Sequence, residues 1–271
     1  VAFSEIPAKL GLPTLHSGAW EPFFQTCAEL GTTVCMHIGS SSQMPATSPD
    51  APPAVAATLS FGNAMSSLSD FLFSGVLVRY PTLTLAYSEG QIGWVPYILE
   101  RADDVWEQHR AWGGVRDLVP EPPSTYWHRQ IYGCFYRDKH GLASLDTIGE
   151  DNVTFETDYP HTDSTWPDTQ KIFAEQVEGM DPVLIDKIAR GNAIRMLRLD
   201  PATGRQVLRR VEEARPHPHR GEGIDLVLHQ RDQRRDHHPD ARPHQRRDLV
   251  AQRLAAAGRH QHQGVPAAGD V

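Results

Sequence analysis

From Ala19 onward, hydrophobic and polar positions alternate along this chain in two rhythms. Stretches with apolar residues at three- and four-residue spacing are separated by short runs that are apolar almost without a break, and that succession is the pattern of parallel βαβ units. A helix is expected over Ala19 to Leu30, with Pro22 in its first turn and Gly31 closing it. A buried strand follows over Thr32 to Ile38. Beyond a Ser/Pro/Ala loop from Ser40 to Pro53, the periodic stretch from about Ala54 to Arg79 predicts one or two helices, broken near Gly62 and ended by Pro81. The next strand is expected over Thr82 to Tyr87. After it comes an amphipathic helix over Gly93 to Trp112, with Trp94, Tyr97, Ile98, Arg101, Val105 and Trp112 along one side. A Pro-rich link then leads to a strand over Ile131 to Tyr136, a helix over Gly141 to Ile148 and a strand over Val153 to Thr157. Helices at about Asp168 to Glu178 and Pro182 to Leu199 complete the body, and the opening Val1-Ala2-Phe3 also reads as strand.

Four buried strands with their crossovers between residues 32 and 200 predict an α/β fold, the C-terminal half of a (β/α)8 TIM-type barrel, since a whole barrel needs about 250 residues. Such barrels keep their chemistry at the carboxyl ends of the strands. Polar residues follow three strand ends here: His37, Ser88 with Glu89, and Asp158 with His161. A His and an Asp are the residue types that a catalytic divalent metal most often takes from such ends, and His37 and Asp158 can meet only if their strands lie in one parallel sheet.

Composition changes this picture mainly at the chain's end. Residues 201 to 271 hold 13 Arg and no Lys against 9 acidic residues, whereas the first 200 carry 13 basic and 25 acidic ones. The tail lacks Phe, Tyr, Trp, Met, Cys, Ser, Asn and Lys and holds 8 of the 14 His, so it cannot bury enough apolar surface to offset chain entropy. Two segments are therefore expected: a barrel part over residues 1 to 200 and a low-complexity Arg/His-rich tail over 201 to 271. The tail is expected to be disordered, or a frame-shifted translation with no selected function. An arginine-rich nucleic-acid arm is disfavoured by the interleaved Asp and Glu and by the missing stacking aromatics. Cys27, Cys35 and Cys134 sit inside apolar runs at spacings that suit neither a zinc cluster nor a redox pair, and they are expected in the core of a protein kept in a reducing compartment. No run of 18 apolar residues and no signal peptide is present, so no membrane partner and a cytoplasmic location are expected.

Several short segments resemble the amidohydrolase superfamily, in its amidohydrolase-related branch, which includes aminocarboxymuconate-semialdehyde and γ-resorcylate type decarboxylases. They are Phe3-Ser4-Glu5 with Leu10-Gly11-Leu12-Pro13, His37-Ile38-Gly39, Pro96-Tyr97-Ile98-Leu99-Glu100-Arg101, Thr157-Asp158-Tyr159-Pro160-His161 and Gly191-Asn192-Ala193-Ile194-Arg195. The resemblance implies that His37 and Asp158 help hold a divalent metal, usually zinc, with Asp158 serving as both ligand and base. It also implies a small-molecule substrate and a possible homodimer. The chain departs from the family pattern twice. No His-x-His or Glu-x-His element stands among residues 1 to 36, and Ser88 followed by Glu89 stands where most relatives place a His. Proton transfer would then fall to Glu89 or His161, and Ser88 and His161 would contact substrate.

For each residue a plainer role competes: a core histidine for His37, a turn cap for Asp158, an ion-pair partner of Arg101 or a nearby cation for Glu89, a loop cap for His161, helix packing for Trp94, Tyr97 and Trp112, and packing alone for Asn192. The implied function is a metal-dependent non-oxidative decarboxylase of an unsaturated or aromatic carboxylic acid. A hydrolase of a C-N, C-O or C-C bond is the alternative, and an inactive fragment is the alternative outside enzymology. A serine hydrolase is disfavoured because neither Ser40-Ser41-Ser42 nor Ser88 stands in a Gly-x-Ser-x-Gly elbow.

Overall fold

Alternation along five short strands sorts their side chains onto two unlike faces. In the computed structural model, which describes residues 1 to 161 and 163 to 205, these strands are β1 (Ala2–Phe3), β2 (Val34–His37), β3 (Leu85–Ser88), β4 (Ile131–Phe135) and β5 (Val153–Phe155). They pair in parallel in the order β1-β2-β3-β4-β5. One row across the sheet reads Phe3, Met36, Tyr87, Gly133, Val153, and another reads Val34, Leu85, Ile131. Apart from Gly133, which has no side chain, the residues of these rows are buried in the main core cluster. The rows between them put Cys35, Ala86 and Tyr132 on the opposite face, followed by His37 beside Ser88 and Cys134 beside Thr154. An all-parallel sheet with one apolar face under helices and a mixed, small-residue face on the other side is a section of a (β/α)8 barrel, as the sequence leads one to expect.

The crossover helices supply the other half of the core. Helix α1 (Glu21–Leu30) buries Phe24, Cys27 and Ala28, and Gly31 ends it at a φ of 68°, in the left-handed region that glycine enters without steric cost. The stretch expected to hold one or two helices forms three, α2 (Pro53–Thr58), α3 (Gly62–Phe73) and α4 (Val76–Arg79), with a second break at Gly75, also left-handed at 72°. Phe24 of α1 meets Phe71 of α3 edge to face at 5.9 Å. Helix α5 (Val95–His109) buries Val95, Leu99, Ala102 and Trp106. This stripe differs from the expected one. Trp94 is partly buried against the core, but Tyr97 is 71% and Trp112 73% exposed, and Trp112 stacks on His109. The row four and seven residues apart that starts at Val95 sets the buried side, and the larger aromatics fall off it. Arg101 reaches Asp104 at 4.0 Å and not Glu89.

A helix absent from the sequence expectation, α6 (Pro123–Gln130), begins inside the Pro-rich link with Pro123 in its first turn and buries Tyr126 and Trp127. Two short helices, α7 (Lys139–Leu142) and α8 (Leu145–Ile148), replace the single one expected before β5. After α9 (Thr169–Gln176), the last helical run passes from α10 (Pro182–Asp186) through a π-helical turn, Lys187–Gly191, into α11 (Asn192–Met196). This run is tied to the amino-terminal side of the strands. The Thr33 hydroxyl donates to the Met196 carbonyl at 2.6 Å, and Arg195 reaches the Asp151 carboxylate at 2.8 Å and the Tyr132 hydroxyl at 3.1 Å. The tail expected beyond residue 200 lies, from residue 206, outside the described residues.

Asn192, expected to act in packing, is 1% exposed and donates both amide hydrogens, to the Glu150 carbonyl at 2.7 Å and the Val153 carbonyl at 2.6 Å. An alanine there strands two carbonyl acceptors. Asn192→Ala is expected to cost about 2 kcal/mol and to lower the melting temperature by about 4–8 °C; an unchanged thermal melt would show that these carbonyls find other donors.

Candidate metal centre

Parallel pairing brings the carboxyl ends of β2, β3 and β5 to one side of the sheet, and each end presents a titratable side chain there. His37 is the last residue of β2. Its Nδ1 lies 2.7 Å from the Ile38 carbonyl, so a proton on Nδ1 donates locally and Nε2 is turned towards Glu89. Nε2 lies 2.8 Å from Glu89 Oε1. Glu89 directly follows β3 and Asp158 follows β5 by three residues, and both carry a φ of 54°, left-handed for residues with a side chain. That conformation turns the chain sharply at the strand end and directs each carboxylate back over the sheet edge.

The fourth group is His161. Its Nδ1 lies 2.8 Å from Asp158 Oδ1 and 3.8 Å from Glu89 Oε2. Glu89, Asp158 and His161 each offer a ligand atom, and these atoms all lie within 4.8 Å of one another. The carboxylates lie deeper than the imidazoles: the Asp158 and Glu89 side chains are 9% and 14% exposed, those of His37 and His161 48% and 58%. Burial raises the Glu89 carboxyl above its ordinary value; the nearby His37 opposes this and the Asp158 charge adds to it. Two carboxylates held this close repel, and two imidazoles alone offset the repulsion only when protonated. A divalent cation would neutralise both, and a set of imidazole nitrogens and carboxylate oxygens fits zinc or manganese by donor chemistry.

The structure therefore gathers four of the five residues singled out in the sequence, in the order His37, Glu89, His161, Asp158. The triad whose ligand atoms converge is Glu89, Asp158 and His161, and His37 joins it through Glu89. Ser88 stands beside His37 in the strand register, half-buried, with its hydroxyl against the Cys35 thiol. The plain partner expected for Glu89, Arg101, is elsewhere. Ser40 and Ser41 serve another residue: Ser40 Oγ accepts the Glu5 N–H at 2.9 Å, and the Ser41 hydroxyl lies 3.5 Å from Glu5 Oε2. Of the three thiols expected in the core, Cys27 is buried among the helices, while Cys35 and Cys134 lie on the sheet face that leads to the site. Burial pushes all three thiols up, so they stay protonated.

Two acidic residues at this end of the sheet were not singled out by sequence. Glu5, just past β1, is 4% exposed, and burial pushes its carboxyl up to about 7 against the pull of Ser41, His37 and Lys9. Glu156, half-buried, is likewise pushed up to about 7 by burial; it accepts the Glu89 N–H at 2.7 Å and lies against the Cys134 thiol. Position gives a signal for both, because each follows a strand end, Glu5 two residues past Phe3 and Glu156 two residues before Asp158. The segment after β5 is tied to the end of β4 by Tyr136 Oη donating to Asp163 Oδ2 at 3.0 Å and by Arg137 Nη2 donating to the Ser164 carbonyl at 3.3 Å.

A family model described as Amidohydrolase matches residues 6–199. Among solved structures, an amidohydrolase from Mycobacterium avium subsp. paratuberculosis K-10 is similar, with 20% identity, a TM-score of 0.62 and coverage of 75% of this chain and 52% of that one. A 5-carboxyvanillate decarboxylase from Sphingomonas paucimobilis has 20% identity and a TM-score of 0.52, with 67% of this chain and 53% of that one covered. A 5-carboxyvanillate decarboxylase from Novosphingobium aromaticivorans DSM 12444, complexed with manganese and 4-hydroxy-3-methoxy-5-nitrobenzoic acid, has 19% identity, a TM-score of 0.53 and coverage of 68% and 53%. The chain thus spans about half the length of these structures, and at such identities the likeness is one of fold. Comparison with curated proteins finds no match. Among the described residues, no helix is long and apolar enough to cross a membrane.

The raised carboxyl of Glu5 makes stability depend on pH. Below about pH 4.5 it is protonated whether the chain is folded or not; as pH rises towards 7 only the unfolded chain ionises freely, so the folded state loses stability. Glu5→Gln removes that dependence. The melting temperature of Glu5→Gln relative to the unmodified chain is expected to move in the variant's favour by about 3 °C or more between pH ~4.5 and pH ~8, and two parallel curves would contradict the assignment.

Proposed function

The chain belongs to the amidohydrolase family, and from that premise we propose that it carries the metal-holding end of a divalent-metal-dependent enzyme that removes carbon dioxide, without oxidation, from an unsaturated or aromatic carboxylic acid. The observation that carries the reading is the convergence of Glu89, Asp158 and His161 within 4.8 Å, with His37 Nε2 2.8 Å from Glu89, at strand carboxyl ends. Two of the solved structures of similar fold are decarboxylases of an aromatic acid, one of them with manganese bound, which supports this reaction class.

His37 through Nε2 and Asp158 through its carboxylate would hold the cation, zinc or manganese, with His161 on the exposed side. A cation bound there supplies a Lewis acid for an oxygen of the substrate. Loss of carbon dioxide breaks a C–C bond and leaves its electron pair on the carbon that bore the carboxylate, and that carbon must then take up a proton. Glu89 is suited to carry it, because burial favours its protonated form and its two oxygens face His37 and His161. Asp158 serves as ligand, and His161 and Ser88 border the side from which a small planar acid would approach.

The test is metal binding by the full 271-residue chain after chelation, followed by calorimetric titration with zinc or manganese. One equivalent is expected to bind, and His37→Ala and Asp158→Asn are each expected to weaken binding by about tenfold or more. Glu89→Gln is expected to keep most of the metal affinity and to lower carbon dioxide release from 5-carboxyvanillate by about a hundredfold or more. Equal metal affinity in all variants would defeat the site. Metal-dependent turnover to a hydrolysed product would replace decarboxylation with hydrolysis.

A further inference from the structure

Glu89 owes its aim to a backbone conformation that a glutamate seldom adopts, and its peptide meets the side chains of Glu156 and Cys134. Its φ is 54°, and its N–H is directed across β4 to Glu156 Oε1 at 2.7 Å. Glu156 follows β5 with its own N–H bonded to the Phe135 carbonyl at 2.9 Å, so its backbone continues the ladder with β4 while its side chain reaches towards the end of β3. On the way it lies against the Cys134 thiol on the same sheet face. A carboxylate accepting a backbone N–H makes one of the stronger hydrogen bonds available to a peptide. With the Glu89 peptide turned this way, the Glu89 side chain lies between His37 Nε2 at 2.8 Å and His161 Nδ1 at 3.8 Å.

We propose that Glu156 is a positioning residue: it bridges the ends of β5 and β3, fixes the Glu89 peptide in its left-handed turn and so sets where the Glu89 carboxylate stands between the two imidazoles. The effect on turnover rests on the proposed function above; the bridge itself does not. Glu156 touches neither imidazole and acts only through Glu89. Its role requires an acceptor oxygen at the right reach and does not require its charge.

Three variants separate these requirements. Glu156→Gln keeps the acceptor and loses the charge, Glu156→Asp keeps the charge and draws the acceptor back by one methylene, and Glu156→Leu removes it. Residue-resolved amide hydrogen exchange on the metal-free full chain reports the Glu89 N–H directly. Its protection is expected to stay within about threefold in Glu156→Gln and to fall by about tenfold or more in Glu156→Asp and Glu156→Leu. Because Glu89 is the proton carrier and not a ligand, zinc affinity should stay within about threefold in all three variants, while carbon dioxide release from 5-carboxyvanillate falls in the order of the Glu89 protection. Unchanged Glu89 protection in Glu156→Asp overturns the proposal, and so does equal loss in Glu156→Gln, which would make charge the operative property. If Glu156→Leu fails to fold, the Gln and Asp pair decides alone. If the unmodified chain binds no zinc, the metal reading fails while the exchange measurement still judges the bridge.

Discussion

Parallel strand pairing is the constraint from which the rest follows. Because β2, β3 and β5 run the same way in one sheet, their carboxyl ends fall on one side, and residues as far apart in sequence as Glu89 and His161 become neighbours. The same geometry makes the two sheet faces unlike. One must bury Val34, Met36, Leu85, Tyr87 and Ile131 against helices, which leaves the other free for Cys35, Ser88, Cys134 and Glu156. Fold and site are two readings of one alternation.

The site itself is held under electrostatic tension. Glu89 and Asp158 are brought together in a half-dry setting where like charges disfavour each other, and each does so from a left-handed backbone position that only its surroundings can hold. The imidazoles on the solvent side oppose this, while the nearby Glu156 carboxyl, itself raised by burial and further by Glu89 and Asp158, adds to the crowding. Such crowding is unfavourable for a structural cluster and suits one that accepts a cation, which is why the physical chemistry of the side chains and the family membership point the same way.

Much of this was legible in the sequence, and the parts that were not have identifiable causes. The strands came through within a few residues because their apolar runs are short and bounded by Gly, Pro and polar turns. Helix α6 was hidden because Pro120, Pro122 and Pro123 read as a link, although a proline at a helix start removes an N–H that the helix does not use. The buried side of α5 was misjudged because large aromatics were weighted above position, and Tyr97 and Trp112 turn outward. His37, Glu89, Asp158 and His161 were each visible as polar residues after apolar strands. Their mutual order was not visible, since it depends on left-handed turns at Glu89 and Asp158 that nothing in those residue types announces. Glu5 and Glu156 escaped notice because their importance lies in burial, which a sequence reveals only through its neighbours.

The last helical run, bound by Asn192, Arg195 and Thr33 to the amino-terminal side of the strands, has a consequence for how this protein tolerates change. These bonds lie at one end of the strands and the cluster of His37, Glu89, Asp158 and His161 at the other, with the length of the sheet between them. Substitutions that harden or loosen the lower end can accumulate without retuning the upper one, and loops at the upper end can vary without unseating the scaffold. A molecule divided in this way can change what it recognises while remaining the same object.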